Sequence, residues 1–155
     1  MDIVRIQEQP FAIHDLIDEL LDSDPTVGAV VSFLGIAREM NVGTKVLNLW
    51  LEHYPGMTEN SIRGMVEEAR SRFQIQRIGV IHRFGHFQPT DPIVGVVVTS
   101  SHRAEAFSAC QFLMDYLKVH APFWKKEVTP DGSRWVDARH SDDDAAKKWG
   151  IDPQS

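Results

Sequence analysis

Hydrophobic residues recur along this chain with two different spacings, which predict an alternation of helices and strands. Apolar positions three and four residues apart are typical of helices that bury one face. Alternating apolar and polar positions, or short runs of β-branched residues, are typical of strands. Helices are predicted by these criteria at residues 11–23, 58–73 and 101–120, with a short fourth helix at 141–149. Strands are predicted at 2–7, 28–38, 45–54, 75–85 and 92–100, and in a hairpin over 123–139.

Particular residues are expected to begin and end the helices. Thr58 can cap the second helix, and Ser100 or Ser101 the third, because short hydroxyl side chains accept hydrogen bonds from free helix amides. The third helix cannot continue beyond about His120, since Pro122 has no amide proton and disfavours helical geometry before it.

Two elements have a face that should pack in the core. The alternation in the strand at 45–54 places Leu47, Leu49 and Leu51 toward the interior. The apolar stripe of the third helix contains Phe107, Cys110, Met114 and Leu117.

The order of the elements indicates the fold class. Helices and strands interleave without a strict βαβ rhythm, and the hairpin closed by Pro-Asp-Gly at 130–132 is antiparallel. We therefore expect an α+β protein with mixed or antiparallel sheets. The 155 residues fit a single domain, and no repeat or linker divides them.

Composition and charge exclude several functional classes. The chain is 43% hydrophobic and 25% charged, as expected for a soluble globular protein. It opens without the cationic and apolar regions of a signal peptide, and its apolar runs are too short to cross a bilayer, so a cytoplasmic location is expected. The formal net charge of -6 argues against a general nucleic-acid binder, which needs a basic face for phosphates. Any anion site should therefore be local and small.

The familiar signatures of nucleotide and metal sites are missing from the sequence. It contains neither a P-loop nor a G-x-G-x-x-G motif. The single cysteine, Cys110, excludes an internal disulfide and a multi-cysteine zinc site, and its place on an apolar stripe is typical of a packing residue. His82 and His86 are four residues apart, but their context is strand-like and they do not share a helical face. We therefore expect no metal site.

Three short segments place cationic groups where a strand or helix ends, which is where binding sites are commonly built. The first segment is FLGIAR, in which Gly35 permits close approach of a ligand or a second backbone and Arg38 follows the predicted strand. Taken alone, this segment is more typical of a bulge followed by a solvated arginine.

The second segment, TSSHRAEAF, places two cationic residues at a helix start. His102 and Arg103 fall in the first turn, where the helix dipole disfavours cations by about 0.3 kcal/mol or more. The same helix end offers free amides to an anion. The pair therefore indicates either a phosphate or carboxylate site, or two side chains that turn toward acidic neighbours.

The third segment has the sequence DYLKVHAPFWKKE and contains three lysines. Lys118 lies in the last turn of a helix, where a cation is favoured. Lys125 and Lys126 are neighbours on a strand, so one should share a face with Phe123 and the other with Trp124. A lysine beside other cations and apolar rings can have a lowered pKa and act as a base or nucleophile. Each lysine taken singly is more typical of a solvent-facing residue, and only the combination indicates a site.

Five ordered segments resemble the large, catalytic subunits of molybdopterin synthases. These segments are GAVVSFLGIAR, LEHYPGMTE, VIHRFG, TSSHRAEAFSACQFLMDYLK and APFWKKE. The resemblance extends from about Ile3 to Trp149. Two departures are mild, since Ala37 stands where the family often has valine and Ser101 where alanine is common. The segment EMNVGTK, after Arg38, and the tail after Trp149 match less well.

The resemblance implies a sulfurtransferase of molybdenum-cofactor biosynthesis. Such enzymes convert cyclic pyranopterin monophosphate into molybdopterin by installing a dithiolene. The sulfur arrives as a thiocarboxylate on the C-terminal glycine of a small ubiquitin-like subunit ending in Gly-Gly. Two large subunits form a homodimer with one small subunit at each end, which makes a heterotetramer. The implied fold is of the α/β-hammerhead type with an added antiparallel sheet, and no cofactor is expected because the partner supplies the sulfur.

The resemblance also implies roles for individual residues. Lys118 is the main catalytic candidate, and Lys125 assists it. Arg38 and the pair His102 and Arg103 are implied to bind the phosphate and ring system of the pterin, and the pair can serve the site of the partner protomer. Further residues implied at the substrate-binding site are Ile36, Ala37, Lys126, Glu127 and Arg139.

Two functions from other classes are compatible with the same basic residues. A non-catalytic dimeric scaffold could hold a phosphorylated ligand or a ubiquitin-like tail, and it would form no dithiolene. A Schiff-base enzyme acting on a phosphorylated carbonyl compound would be trapped by borohydride at Lys118. Neither alternative explains all five ordered segments.

Overall fold

The computed structural model describes residues 1–41, 43–136 and 140–152, and the α+β prediction is confirmed. Its strands are β1 Ile3–Gln7, β2 Ala29–Ile36, β3 Met40–Asn41, β4 Thr44–Lys45, β5 Asn48–His53, β6 Arg77–Arg83, β7 Gly85–Phe87, β8 Pro92–Ser100, β9 Phe123–Thr129 and β10 Gly132–Val136. Its helices are α1 Ile13–Leu21, α2 Met57–Arg72, α3 Arg103–His120 and α4 His140–Lys147. None of the helices within these ranges is long and apolar enough to cross a membrane.

The first sheet is mixed and has the strand order β1-β6-β8-β2. Strand β1 runs parallel to β6, and the other pairs are antiparallel. Helices α2 and α3 cover one face, where Ile78 and Val80 join the main core, while α1 covers the other face beside Ile81. Gly79 lets α1 lie close, because a Cβ at this position would be 2.7 Å from Leu20 Cδ1. Since both faces are covered, β6 and β8 carry nearly continuous apolar runs.

The second sheet is antiparallel, with the order β10-β9-β5-β7, and β3 and β4 form a separate small hairpin. Leu49 and Leu51 of β5 pack against Phe87 of β7, as the alternation predicts. The prediction that Leu47 is also a core residue is wrong, since Leu47 is 42% exposed and Val46 is buried instead. The strand begins only at Asn48, so its alternation does not extend back to residue 47.

Two predicted helix caps are wrong. The N-cap of α2 is Gly56, whose amide donates to Glu59 Oε2 at 2.6 Å, and Thr58 lies inside the helix. The N-cap of α3 is His102, whose amide donates to Ser100 Oγ at 3.2 Å. The Thr58 hydroxyl instead accepts from the Tyr54 amide at 3.0 Å and donates to the Pro122 carbonyl at 3.2 Å, whereas Ser100 acts from two residues before the N-cap of α3.

One predicted core residue of α3 lies at the surface. Cys110 is buried as predicted, but Phe107 is 62% exposed. The helix buries a face that includes Ala106, Ala109 and Leu113, and Phe107 lies to one side of it. A run of apolar residues around a helix leaves the direction of its buried face undetermined until the sheet beneath it is in place.

Candidate active site

A cleft of about 410 Å³ lies between the two sheets, beside the C-terminal end of α3. Three distant parts of the chain supply cations to its lining. Arg38 follows β2, Lys118 lies in the last turn of α3, and Lys125 lies on β9. Ile36 and Ala37 line the same cleft beside Arg38. The structure therefore brings these predicted site residues together, and the roles assigned to them remain predictions.

The position of Arg38 follows from a bulge at the end of β2. The register between β2 and β8 shifts at Gly35 and Ile36, and such a bulge changes the direction in which the side chains that follow project. A Cβ on Gly35 would lie 2.6 Å from Val94 Cγ1. The close approach predicted for this glycine is therefore made by a side chain of the neighbouring strand.

Backbone hydrogen bonds then hold the segment that carries Arg38. The amide of Ala37 donates to the carbonyl of Asp91 at 2.9 Å, and the amide of Thr90 donates to the carbonyl of Ala37 at 2.8 Å. Ala37 is buried between these contacts, while the side chain of Arg38 is exposed to the cleft. These bonds hold the chain on the N-terminal side of Arg38.

The alternation along β9 separates the two neighbouring lysines, as the sequence predicts. Phe123 and Lys125 line the cleft, whereas Trp124 and Lys126 are not among its lining residues. Lys126 Nζ lies 5.7 Å from the ring centre of Trp135, its cross-strand neighbour on β10. Within the described chain, Lys126 therefore does not share the site of Lys125.

Glu127 lies at the floor of the cleft, and its carboxylate makes hydrogen bonds and ion pairs with other groups of the protein. Its side chain is 1% exposed, and it accepts hydrogen bonds from Asn41 Nδ2 and from Arg134 Nη2 at 3.2 Å. Lys125 Nζ lies 3.3 Å from Glu127 Oε1. Burial acts to raise the pKa of this carboxyl, but the Asn41 hydrogen bond and the two cations outweigh it and lower the pKa overall. Glu127 is therefore an ionised residue that orients Lys125.

The structure adds His82, which the sequence analysis did not place in the site. Its ring is buried at the cleft wall and stacks on Phe123, with ring centres 3.7 Å apart. His82 Nδ1 lies 2.8 Å from the carbonyl oxygen of Arg83, so this nitrogen carries the proton. Burial above all, helped by the charge of nearby Lys118, lowers the pKa of His82 to about 4, although the hydrogen bond to the Arg83 carbonyl acts to raise it. His82 therefore presents a neutral ring, and nothing local in its strand sequence distinguishes it from a packing residue.

The buried His82 should make stability depend on pH. Its pKa of about 4 in the folded chain lies below 6.5, so between these values the unfolded chain binds a proton that the folded chain does not. The free energy of unfolding therefore has its full value above about pH 6.5. It falls by about 3 kcal/mol as the pH decreases to about 4, because His82 must stay neutral in the fold. In His82→Asn, whose amide can still donate to the Arg83 carbonyl, this part of the pH dependence should disappear.

Urea unfolding at about pH 7 and about pH 4.5 measures the effect. The exposed His14, which does not line the cleft, provides the matched control for the loss of a histidine in His14→Asn. Equal pH dependence in wild type and His82→Asn would show that His82 is charged in the fold.

The structure does not bring His102 and Arg103 to this cleft. They lie at the start of α3 and Lys118 lies near its end, so 15 residues at 1.5 Å each separate Arg103 from Lys118 by about 22 Å. His102 instead borders a separate hollow of about 260 Å³. Arg139 lies outside the described residues.

Other residues that the sequence analysis did not single out complete the cleft. Phe33 and Met40 line the cleft at its opening, where their side chains are 40% and 49% exposed. Together with Ile36 they form an apolar rim. Large exposed apolar side chains beside a basic cleft are typical of a binding surface. Cys110 is a packing residue, as predicted, and burial raises the pKa of its thiol to about 11. No three potential metal ligands gather among the residues that the structure describes.

Known proteins resemble this chain in sequence and in fold. Residues 6–120 match the family described as MoaE protein. The molybdopterin synthase catalytic subunit of Escherichia coli K12 is 54% identical over 146 residues, which are 94% of this chain and 97% of that protein. The MoaE structure from Burkholderia ambifaria MC40-6 has a TM-score of 0.83 at 44% identity, and the match covers 98% of this chain and 100% of that one. The molybdopterin synthase structure from Staphylococcus aureus has a TM-score of 0.80 at 30% identity, covering 86% and 96%.

These matches extend over nearly the whole chain and agree with the resemblance noted in its five segments. The fold of the solved relatives contains the same arrangement of helices and mixed or antiparallel sheets. The chain therefore belongs to the MoaE family, the catalytic subunits of molybdopterin synthases.

Proposed function

We propose that this chain transfers sulfur from the thiocarboxylate of a small ubiquitin-like subunit to cyclic pyranopterin monophosphate, which forms the dithiolene of molybdopterin. The observation that carries this proposal is the convergence of Arg38, Lys118 and Lys125, from three separate elements, on one cleft. Membership of the MoaE family supports the same reaction.

The charge distribution of the cleft suits two anionic reactants. The chain has a formal net charge of -6, yet three cations line this cleft. Among the described residues, the carboxylates of the lining are Asp142 and Glu127, and Glu127 is already held by other protein groups. A phosphate and a thiocarboxylate would each gain from the remaining positive charge, and the guanidinium of Arg38 can bind a phosphate through two hydrogen bonds.

The two lysines can divide the chemistry of the transfer. Lys118, at the end of α3, would orient the thiocarboxylate, exchange protons with the reactants and stabilise the oxyanion that forms as the acyl group is transferred. Lys125, held 3.3 Å from Glu127, would neutralise charge that develops on oxygen or sulfur of the substrate. The sulfur comes from the partner, so the inert thiol of Cys110 has no part in the step.

The apolar rim of the cleft is suited to a protein partner. Phe33, Ile36 and Met40 are exposed although they line a basic cleft. A C-terminal tail ending in Gly-Gly, whose last two residues have no side chains, would pass this rim, and the body of the small subunit would cover the exposed side chains. The relatives are named catalytic subunits, and this name implies a complementary subunit.

A homodimer would bring the remaining predicted residues to the reaction. His102 and Arg103 are about 22 Å along α3 from Lys118, so they cannot reach the cleft of their own chain. We propose that they reach the cleft of a second copy, within a heterotetramer of two large and two small subunits. We further propose that the reaction takes place in the cytoplasm and that the site uses no metal or organic cofactor.

Arg38→Ala should weaken substrate binding more than it slows the chemical step. Loss of a charged hydrogen-bond partner for the phosphate is expected to raise the KM for the cyclic pterin about tenfold or more. Steady-state kinetics with the thiocarboxylated small subunit measure this change. Arg63→Ala, which removes an exposed arginine of α2 outside the cleft, is the matched control and should keep the wild-type KM. An unchanged KM in Arg38→Ala would contradict phosphate binding by this residue.

One reconstitution tests the function itself. The chain, the thiocarboxylated small subunit and the cyclic pterin are combined, and molybdopterin is measured as its oxidised fluorescent derivative. Product formation that continues in the presence of a metal chelator supports the proposal. A scaffold would form no dithiolene, and a Schiff-base enzyme would give a borohydride-trapped adduct on Lys118.

A further inference from the structure

The small hairpin β3–β4 is attached to the second sheet through a buried side chain. Asn41 is 5% exposed, although asparagine is usually a surface residue. Its amide nitrogen Nδ2 donates a hydrogen bond to Glu127 Oε1 on β9, and 86 residues separate the two along the chain. This contact joins the segment after β2 to the strand that carries Lys125.

The same carboxylate contacts one of the proposed catalytic cations. Glu127 lies 3.3 Å from Lys125 Nζ and 3.2 Å from Arg134 Nη2, and its side chain is 1% exposed. Arg38 lies three residues before Asn41, on the segment that leads into the hairpin. Glu127 is thus bonded to Lys125 directly and to the Arg38 segment through Asn41.

We propose that Asn41 is a positioning residue, which holds Arg38 at a set distance from Lys125 by anchoring its segment to the buried carboxylate of Glu127. The inference rests on the proposed function, because it concerns the geometry of the same cleft. Asn41 belongs to the segment EMNVGTK, to which the family resemblance assigned no role.

Besides Asn41, the described hairpin is held where the chain leaves it, since Val46 is buried and the Leu47 amide donates to the Val128 carbonyl of β9 at 2.8 Å. Its two strands have two residues each, and a two-stranded hairpin of this size is not stable alone. The amide of Val46 donates to the carbonyl of Glu39 at 2.5 Å, which closes the hairpin on itself. The ion pair between Lys45 and Glu39, at 3.1 Å, is exposed on both sides and contributes little. Asn41, by contrast, supplies a hydrogen bond to a buried charged group, which is costly to leave unmade.

Asn41→Ala should therefore impair the cleft by loosening Arg38. We expect the KM for the cyclic pterin to rise about tenfold, with a smaller change in kcat, because displacement of a binding group by a fraction of an ångström is enough to weaken it. Lys45→Ala removes a side chain of the same hairpin that does not line the cleft, and it should leave both constants within about twofold of wild type.

A double-mutant cycle separates positioning from a general structural effect. If Asn41 acts through Arg38, adding Asn41→Ala to Arg38→Ala should cost less than about twofold more. A purely structural role would give the same tenfold loss in both backgrounds. That result, or a wild-type KM in Asn41→Ala, would overturn the proposal.

The isosteric variant Asn41→Asp gives an independent readout. It places a second carboxylate against Glu127, and the pair can make the original hydrogen bond only when it shares a proton. In the described part of the chain, Lys125 of β9 and Arg134 of β10 are the charged groups that face this pair. The KM of Asn41→Asp, relative to that of wild type, should therefore fall as the pH is lowered, whereas Asn41→Ala should show no such recovery. A pH-independent ratio for Asn41→Asp would count against the anchor.

A measurement without catalysis distinguishes failure of this inference from failure of the proposed function. Hydrogen exchange of backbone amides in 39–46 should be at least about tenfold faster in Asn41→Ala than in wild type, and unchanged in amides of β8. If wild type forms no molybdopterin but the exchange difference is found, the anchor holds and the proposed function fails. If wild type is active and the exchange is unchanged, the anchor is wrong.

Discussion

Lys118→Ala is expected to abolish molybdopterin formation, with kcat reduced about 10³-fold or more. The size follows from the two tasks assigned to this ammonium group, proton exchange and oxyanion stabilisation, each of which contributes at least about 10²-fold in enzymes. The fold should survive, because the side chain is exposed to the cleft and the apolar contacts of α3 come from other residues such as Leu117. Its removal costs the helix end well under about 1 kcal/mol.

Single-turnover assays with the thiocarboxylated small subunit measure the loss. Binding of the small subunit and the dimeric state should both be retained. Analytical ultracentrifugation of the variant alone tests the dimer, and of the variant with the small subunit tests the binding. Lys147→Ala, on an exposed lysine of α4 outside the cleft, is the matched control and should be fully active. Product formation near the wild-type rate in Lys118→Ala would refute the catalytic role.

The second large effect is the contrast between two adjacent lysines. Lys125→Ala should lower kcat about 10²-fold, since a cation is lost at the substrate and the buried carboxylate of Glu127 loses a partner at 3.3 Å. Lys126→Ala should stay within about twofold of wild type, because its side chain lies on the other face of β9 near Trp135. Adjacent residues of one chemical type, on one strand, thus have opposite expected outcomes.

The contrast also tests the assignment of faces. Lys125→Met keeps most of the side-chain volume and removes only the charge, so a loss equal to that of Lys125→Ala would assign the effect to electrostatics. Thermal unfolding of each variant provides the stability control, as Glu127 retains Asn41 and Arg134. Equal activities in Lys125→Ala and Lys126→Ala would mean that the face of β9 that lines the cleft does not contact the substrate. A large loss in Lys126→Ala alone would place the reaction on the opposite face of the sheet.

The elements themselves were largely predictable from local patterns. The spacing of apolar residues predicts α1, α2 and α3, and the alternation in FWKKE predicts that Lys125 and Lys126 lie on opposite faces of their strand. The wrong predictions concern the ends of elements and the helix α3, which carries apolar residues on more than one face. Thr58 is not the cap of α2, and Phe107 is not in the core, because contacts with other elements decide both.

The candidate site was predictable only in part. The three cationic segments marked Arg38, the pair His102 and Arg103, and the lysines of DYLKVHAPFWKKE, and of these the structure brings Arg38, Lys118 and Lys125 to one cleft. His82 and Asn41 were not found, since a histidine in a strand and an asparagine in a polar loop are ordinary until their neighbours are known.

Local sequence determined the elements and their faces, because helix and strand periods are properties of the backbone that act over a few residues. It also carried the five segments by which the family is recognised. Only the tertiary structure decided which ends of strands and helices come together to form the cleft. The cleft depends on the pairing of β5 with β9, which sets Leu51 opposite Lys125 across 74 residues of chain, and on the length of α3, which separates Arg103 from Lys118. Such pairings depend on the packing of the whole chain, so no local pattern specifies them.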